Sequence, residues 1–217
     1  MQKSGTFYLV EDEMTKFKNK CSRVFLFLCV MIFALSVCIN LTFTIAPVSG
    51  LSMFPTLNKD YIASNEEETQ DLVILNYVKQ HRKGDIIVAK KEDGSLETYH
   101  YVIKRLIAVG NDSVLVTSSG DLYVNDVLIN QDYLTSVAKY KTYTKFVNLK
   151  SKFPDLFEEG KMIIPKGYVF YLGDNRGESY DCGNYGPVEE KQIVAVAQYI
   201  VHPGENVYLS ILKQIFS

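Results

Sequence analysis

Hydrophobic positions follow two regimes along the chain. From Val24 to Ala46 the sequence reads VFLFLCVMIFALSVCINLTFTIA, 23 residues without a charge. At 1.5 Å of rise per residue, a helix of that length crosses a hydrocarbon core ~30 Å thick. No polar face recurs at helical spacing, which argues against a buried core helix. The run also exceeds the roughly 7–15 apolar residues of a cleaved signal peptide, and no A-x-A cut site follows it. It reads as an uncleaved anchor, with Asn40, Thr42 and Thr44 blurring its far end.

Beyond Asp71 the pattern changes to short, β-branched stretches. DLVILNYV, GDIIVAK, TYHYVIKRLIAV, SVLVTSSGDLYVNDVLI, GYVFYLG and IVAVAQYIV read as strands, with hairpin turns at Ser-Ser-Gly-Asp and Asn-Asp. The acidic stretch Asn65–Asp71 reads as a solvated loop. Tyr140 to Lys161, rich in lysine and holding Phe153-Pro154, reads as an irregular or partly helical insertion. The closing NVYLSILKQIFS is too short to span a bilayer and suits either a membrane surface or the core. These elements predict a mainly β fold, an antiparallel domain preceded by one N-terminal transmembrane helix. Its parts are a tail over 1–23, an anchor over 24–46 and a domain over 47–217.

Charge orients this arrangement. Lys16, Lys18, Lys20 and Arg23 precede the run, whereas the first charge after it is Lys59. The positive-inside rule then places the N-terminus in the cytoplasm and the domain outside the cell membrane. A net charge of −2 removes the basic footprint of a nucleic-acid binder. Cys21, Cys29 and Cys38 lie at or inside the span, so Cys182 has no partner on its own side for an internal disulfide. The outer domain must fold on its hydrophobic core alone.

Candidate chemistry is narrowed first by what the chain lacks. It has no G-x-S-x-G elbow, no H-E-x-x-H, no C-x-x-C and no P-loop. The spacing of His81, His100 and His202 supports no metal site. A hydrolase base could instead be lysine, provided burial makes it neutral. At a pKa of ~10.4, only about one lysine in 2,500 is deprotonated at pH 7. Lys104 interrupts an apolar strand, and its neighbour Arg105 must point to the opposite face. Taken alone, the two also fit charged gatekeepers on an edge strand.

Four blocks in order carry more than either residue: SGLSMFPTL, KGDIIV, VIKRLIAVGND and PKGYVFYLGDNRGESYD. Together they resemble the type I signal peptidase family, from about Ser49 to His202 and with the preceding anchor. The resemblance implies a mainly antiparallel β catalytic domain whose apolar face rests on the membrane. It implies a membrane-bound serine endopeptidase that removes signal peptides from exported precursors, cutting after small residues. Ser52 would be the nucleophile, Lys104 the general base, and Ser179 the hydroxyl that orients the lysine. Asp174 and Arg176, within Gly173–Arg176, would buttress the site, with Asp181 as the downstream acid. Met53 and Pro55 would shape the approach to Ser52, Pro55 helping to keep that segment extended. An extended segment beside a strand edge would suit docking of an extended substrate.

The expected partners are precursor proteins and membrane lipid, with no nucleic acid, metal or cofactor, and the chain is expected to act as a monomer. A specialised relative that processes or assembles pilus or matrix subunits is the alternative. Some positions depart from the family pattern. Gly50 stands where some members carry an oxyanion-stabilising serine, leaving the second oxyanion donor unassigned. Gly183 stands where an arginine partner for Asp181 is expected, with Arg176 or Arg105 as possible substitutes. Cys182 reads as a small buried replacement.

Overall fold

The apolar run forms a helix, α1, over Ser4–Thr42 in a computed structural model that describes residues 4–59, 70–92 and 99–216. Its stretch Lys18–Thr42 is, by length and composition, able to cross a membrane. Two boundaries differ from the expected ones. The tail is already helical from Ser4, and the helix stops at Thr42, four residues before Ala46. Phe43–Pro47 forms a strand instead, β1. Phe43, Thr44 and Ile45 favour extended backbone, and Pro47 bars its predecessor from the helical region. The chain divides into two compact units, Met1–Phe43 and Thr44–Ser217. Of the acidic stretch 65–71, only Gln70 and Asp71 lie within the described residues.

The second unit is built on two sheets. Strands β2 (Leu72–Asn76), β3 (Ile86–Glu92) and β4 (Tyr99–Val109) belong to the larger one, with β10 (Tyr168–Leu172), β11 (Val188–Glu189) and β12 (Ile193–Val201). Their order is β1-β2-β12-β3-β4-β10-β11, and each registered pair from β2 to β11 is antiparallel. The smaller sheet holds β5 (Ser113–Val116), β6 (Leu122–Val124), β7 (Val127–Leu128), β8 (Phe157–Glu158) and β9 (Lys161–Ile163) in the order β7-β6-β5-β9-β8. The expected turn between β6 and β7 is present: Asn125 and Asp126 take φ of 51° and 63°, as a two-residue hairpin loop of this type requires.

The lysine-rich insertion is more regular than its composition suggests. Ser136–Lys152 forms helix α2, capped by the Thr135 side chain, which accepts from the Ala138 N–H. Thr142, Phe146 and Leu149 recur at helical spacing and form its buried face. Lys150 and Lys152 suit the negative end of the helix dipole, and Pro154 ends the helix.

Two apolar clusters hold the unit together. One joins the sheets and α2 through Leu106, Val114, Leu122, Phe146, Met162 and Tyr171. The other packs Val48, Met53, Leu57, Val73, Leu75 and Ala195 beneath the segment that carries Ser52. At the C-terminus, helix α4 (Val207–Phe216), which follows the short helix α3 (Cys182–Tyr185), returns to β12. The Gln214 amide accepts from Ile200 N at 3.0 Å and donates to Ile200 O at 2.6 Å. This leaves Tyr208, Leu209, Leu212, Ile215 and Phe216 exposed.

Candidate active site

The segment before β2 is not extended, as the proline had suggested, but a run of turns. Phe54 N–H donates to Leu51 O, and Leu57 N–H to Met53 O. Met53 and Leu57, each 1% exposed, point into the second cluster and fix the segment from below. Met53 is therefore a buried anchor, and neither it nor Pro55 lines the groove beside Ser52.

Asn58 closes this segment from the side. It is fully buried at φ 60°. Its amide donates to Val48 O (2.7 Å) and Gly50 O (2.9 Å), while its Oδ1 accepts from Asp71 N (2.9 Å). The Asp71 carboxylate in turn accepts from Asn58 N at 2.7 Å and meets His202 Nδ1 at 2.9 Å. Gly50 sits at φ 79°, where any side chain would find space but a strained backbone.

Lys104 approaches from the middle of the large sheet. On β4 it pairs with Ile87 of β3, and its side chain is 4% exposed. Its Nζ donates to Ser52 Oγ at 2.6 Å and to Ile103 O at 2.7 Å. Burial lowers its pKa from 10.5 to about 8, the largest influence upon it. Asp181 and Asp174 pull the value up, and Lys91 and Lys145 push it down. A lysine so placed is neutral in about one molecule in ten at pH 7, against one in thousands when free.

Arg105 points away, as strand alternation requires. Its guanidinium grips Asp174 at 2.6 Å (Nη2–Oδ2) and 3.0 Å (Nε–Oδ1), and it lies over the Tyr133 ring. Thr56, from the serine segment, donates to the same carboxylate at 2.5 Å. Asp174 thus ties the lysine strand to the serine segment. Next to it, Asn175 N donates to Ser52 O at 3.0 Å and Asn175 Nδ2 to Leu51 O. Gly173 permits this approach: a Cβ there would stand 2.4 Å from Ser52 O and 2.2 Å from Ser179 Oγ.

The remaining expected residues surround this centre. Arg176 is fully buried and donates to Gly173 O, Gln131 Oε1 and Thr142 Oγ1, so it joins the loop to α2 rather than pairing with Asp181. Asp181, also fully buried, accepts from Gly173 N and Gly183 N. Its counter-charge is neither arginine but Lys145 of α2, with Nζ 3.3 Å from Oδ1. Ser179 is 4% exposed, yet among the described residues its hydroxyl makes no hydrogen bond, to Lys104 or to any other group. Cys182 is buried in the main core, with its thiol pKa pushed up by that burial. Asn58, Asp71, Thr56 and Lys145 were not anticipated. Only Asn58 left a trace in the sequence, as an Asn after a turn, a residue type that tolerates left-handed backbone.

Beside the Ser52–Lys104 contact runs an open groove of about 510 Å³. Thr44 and Ala46–Ser49 line it together with Tyr101–Lys104 of β4, although three strands separate β1 from β4 in the sheet order. Val48, Val73, Leu75, Val88 and Ala195 make its surface largely apolar.

A hydroxyl held against a buried lysine at the edge of such a groove is a geometry that serine–lysine hydrolysis could use. Comparison with known proteins narrows the class. Residues 21–202 match the model of the family described as signal peptidase, peptidase S26. Signal peptidase I S of Bacillus subtilis is 30% identical over 165 residues, covering 76% of this chain and 79% of that one. Thylakoidal processing peptidase 1 of Arabidopsis thaliana is 29% identical over 167 residues, but the match spans only 42% of its length. A crystal structure of a signal peptidase I from Enterococcus faecalis V583 is 26% identical, with a TM-score of 0.38 over 55% of this chain and 97% of that one. The chain belongs to the signal peptidase S26 family.

Proposed function

We propose that the protein is a membrane-anchored serine endopeptidase that removes signal peptides from exported precursors, with Ser52 as nucleophile and Lys104 as general base. The observation that carries this reading is the 2.6 Å contact between Ser52 Oγ and a lysine lowered to about pKa 8. Neutral Lys104 accepts the Ser52 proton as Oγ attacks the scissile carbonyl. The Ser52 N–H, which has no hydrogen-bond acceptor among the described residues, is free to hold the resulting oxyanion. Protonated Lys104 then gives its proton to the departing amine, leaving an ester on Ser52. Water activated by the same lysine hydrolyses that ester and returns the serine.

The groove supports the choice of substrate. Its apolar sides suit an extended segment with small side chains, bound by backbone pairing along a strand. Lys18–Thr42 would be the anchor, its N-terminus in the cytoplasm and the catalytic unit outside. The chain would then leave the span ten residues before Ser52, keeping the nucleophile near the emerging end of a signal peptide.

The test is cleavage of an Ala-x-Ala precursor by the full chain in detergent. Ser52→Ala and Lys104→Met should each abolish cutting while the protein still folds. The wild-type rate should rise about tenfold per pH unit below pH 8 and level off above it. Substantial cutting by either variant, or a flat profile from about pH 6 to 9, would refute the assignment.

A further inference from the structure

Helix α2 sends one side chain into the wall behind the reacting pair. Lys145 Nζ donates to Ser179 O at 2.6 Å and lies 3.3 Å from Asp181 Oδ1. Its stem runs across Gly183, where a Cβ would stand 2.9 Å from Lys145 Cδ and 3.0 Å from Asp181 Oδ1. Because Lys145 is held at its far end by both bonds, a side chain at position 183 would displace it. The bare glycine is what lets a lysine 36 residues away in sequence reach this carboxylate.

We propose that Lys145 is a positioning residue for the Ser52–Lys104 pair, holding the Ser179–Asp181 wall in place and balancing the charge of Asp181 beside Lys104. The inference rests on the reading of Lys104 as the base. The groups that act on Lys104 come from several elements: Lys91 from β3, Asp174 from the loop after β10, Asp181 at the start of α3 and Lys145 from α2. Arg105 engages the Asp174 carboxylate, and Cys182, with its pKa raised by burial, remains an uncharged thiol. Asp181 is the acid that most favours the ammonium form of Lys104, and Lys145 is the cation bound to it. Without Lys145, a fully buried carboxylate would face Lys104 uncompensated, and one repelling cation would be lost. Both changes favour protonated Lys104, which cannot accept the serine proton.

The test compares pH profiles of kcat/KM for the full chain in detergent, from about pH 6 to 9.5, alongside thermal unfolding. In Lys145→Met the acid limb should move to higher pH. The rate at pH 7 should fall about tenfold for each unit of displacement and largely recover toward the alkaline end. Lys145→Gln, which keeps a donor for the Ser179 carbonyl without the charge, should show the same displacement and covers the case in which methionine prevents folding. Lys145→Arg should keep the wild-type limb. Adding Asp181→Asn to Lys145→Met should move the limb back toward its original position. A rate loss with the limb unmoved would make Lys145 merely structural and overturn the proposal, as would unchanged activity or an arginine variant displaced like the methionine one. A wild-type profile with no acid limb would instead overturn the assignment of Lys104 as base.

Discussion

Replacing Lys104 with methionine should abolish activity and stabilise the fold at neutral pH. The lysine is 4% exposed, and its pKa falls from 10.5 to about 8 on burial. That difference, 10.5 − 8 = 2.5, corresponds to about 3 kcal/mol at 1.36 kcal/mol per unit. Its sign follows from proton linkage. The folded pKa lies below the unfolded one, so between the two values the unfolded chain holds more protons and stability rises with pH. The penalty is nearly complete at pH 7, falls to ~2 kcal/mol by pH 9 and disappears above 10.5.

Methionine has similar bulk and no charge, so it escapes this penalty. It forfeits the bonds to Ser52 Oγ and Ile103 O, together ~2 kcal/mol at typical net values. The remaining gain is ~1 kcal/mol at pH 7 and close to zero at pH 9. The assay is thermal unfolding of wild type and variant in detergent, followed by far-ultraviolet circular dichroism at several pH values. The variant should melt ~2–4 °C higher at pH 6–7, with the gap closing toward pH 9. A variant that melts lower at pH 6–7, or by a margin independent of pH, would refute a lysine that is buried against its preference for charge.

Other positions carry sharp expectations. Gly173→Ala would push a methyl group against Ser52 O and Ser179 Oγ. It should destabilise by ~1–3 kcal/mol and, by displacing Ser52, slow cleavage about 100-fold, read as kcat on protein shown to be folded. Asn58→Ala removes the bonds to Val48 O, Gly50 O and Asp71 N. Leaving these groups unpaired should lower stability by about 2 kcal/mol or more and loosen the serine segment, seen as faster proteolysis between Val48 and Lys59. Asp174→Asn strips Arg105 of its charged partner and should lower stability by ~3 kcal/mol in urea unfolding, whereas unchanged unfolding would show that the pair contributes little.

Whereas the short β8, β9 and β11 lie outside the stretches that read as strands, β2 to β7, β10 and β12 were legible because their stretches are short, β-branched and bounded by turn residues, and the Asn125-Asp126 turn announces itself by chemistry. The end of α1 was not. Composition remains apolar through Ala46, and only the change to Phe43, Thr44 and Ile45 before Pro47 marks where helix yields to strand. α2 was half visible: Thr142, Phe146 and Leu149 keep helical spacing, but five lysines in the helix obscure it. Ser52 was legible only through the resemblance carried by the four sequence blocks, and Lys104 through that resemblance together with its place inside an apolar strand. Their supports are another matter. Asn58 and Lys145 look like any polar residue of a loop or solvated helix. Their roles arise from bonds to backbone carbonyls and a carboxylate that tertiary folding brings within reach. Ser179 illustrates the converse, since a residue expected to touch the lysine contributes its carbonyl to Lys145 and leaves its hydroxyl unbonded.

The bond between Gln214 and Ile200 also bears on how this protein avoids its neighbours. In an antiparallel pair a residue directs both its backbone groups to the same side, so Ile200, opposite Val73 on β2, turns its N–H and C=O away from that strand. β3 ends its pairing with β12 at Val196 and does not cover them. The amide of Gln214 does, imitating with one side chain the two bonds an incoming strand would make. Chains lacking α4 would offer this short open edge to one another, with strand-to-strand association as the consequence. On this reading the C-terminal helix serves as a cap for the open edge of β12.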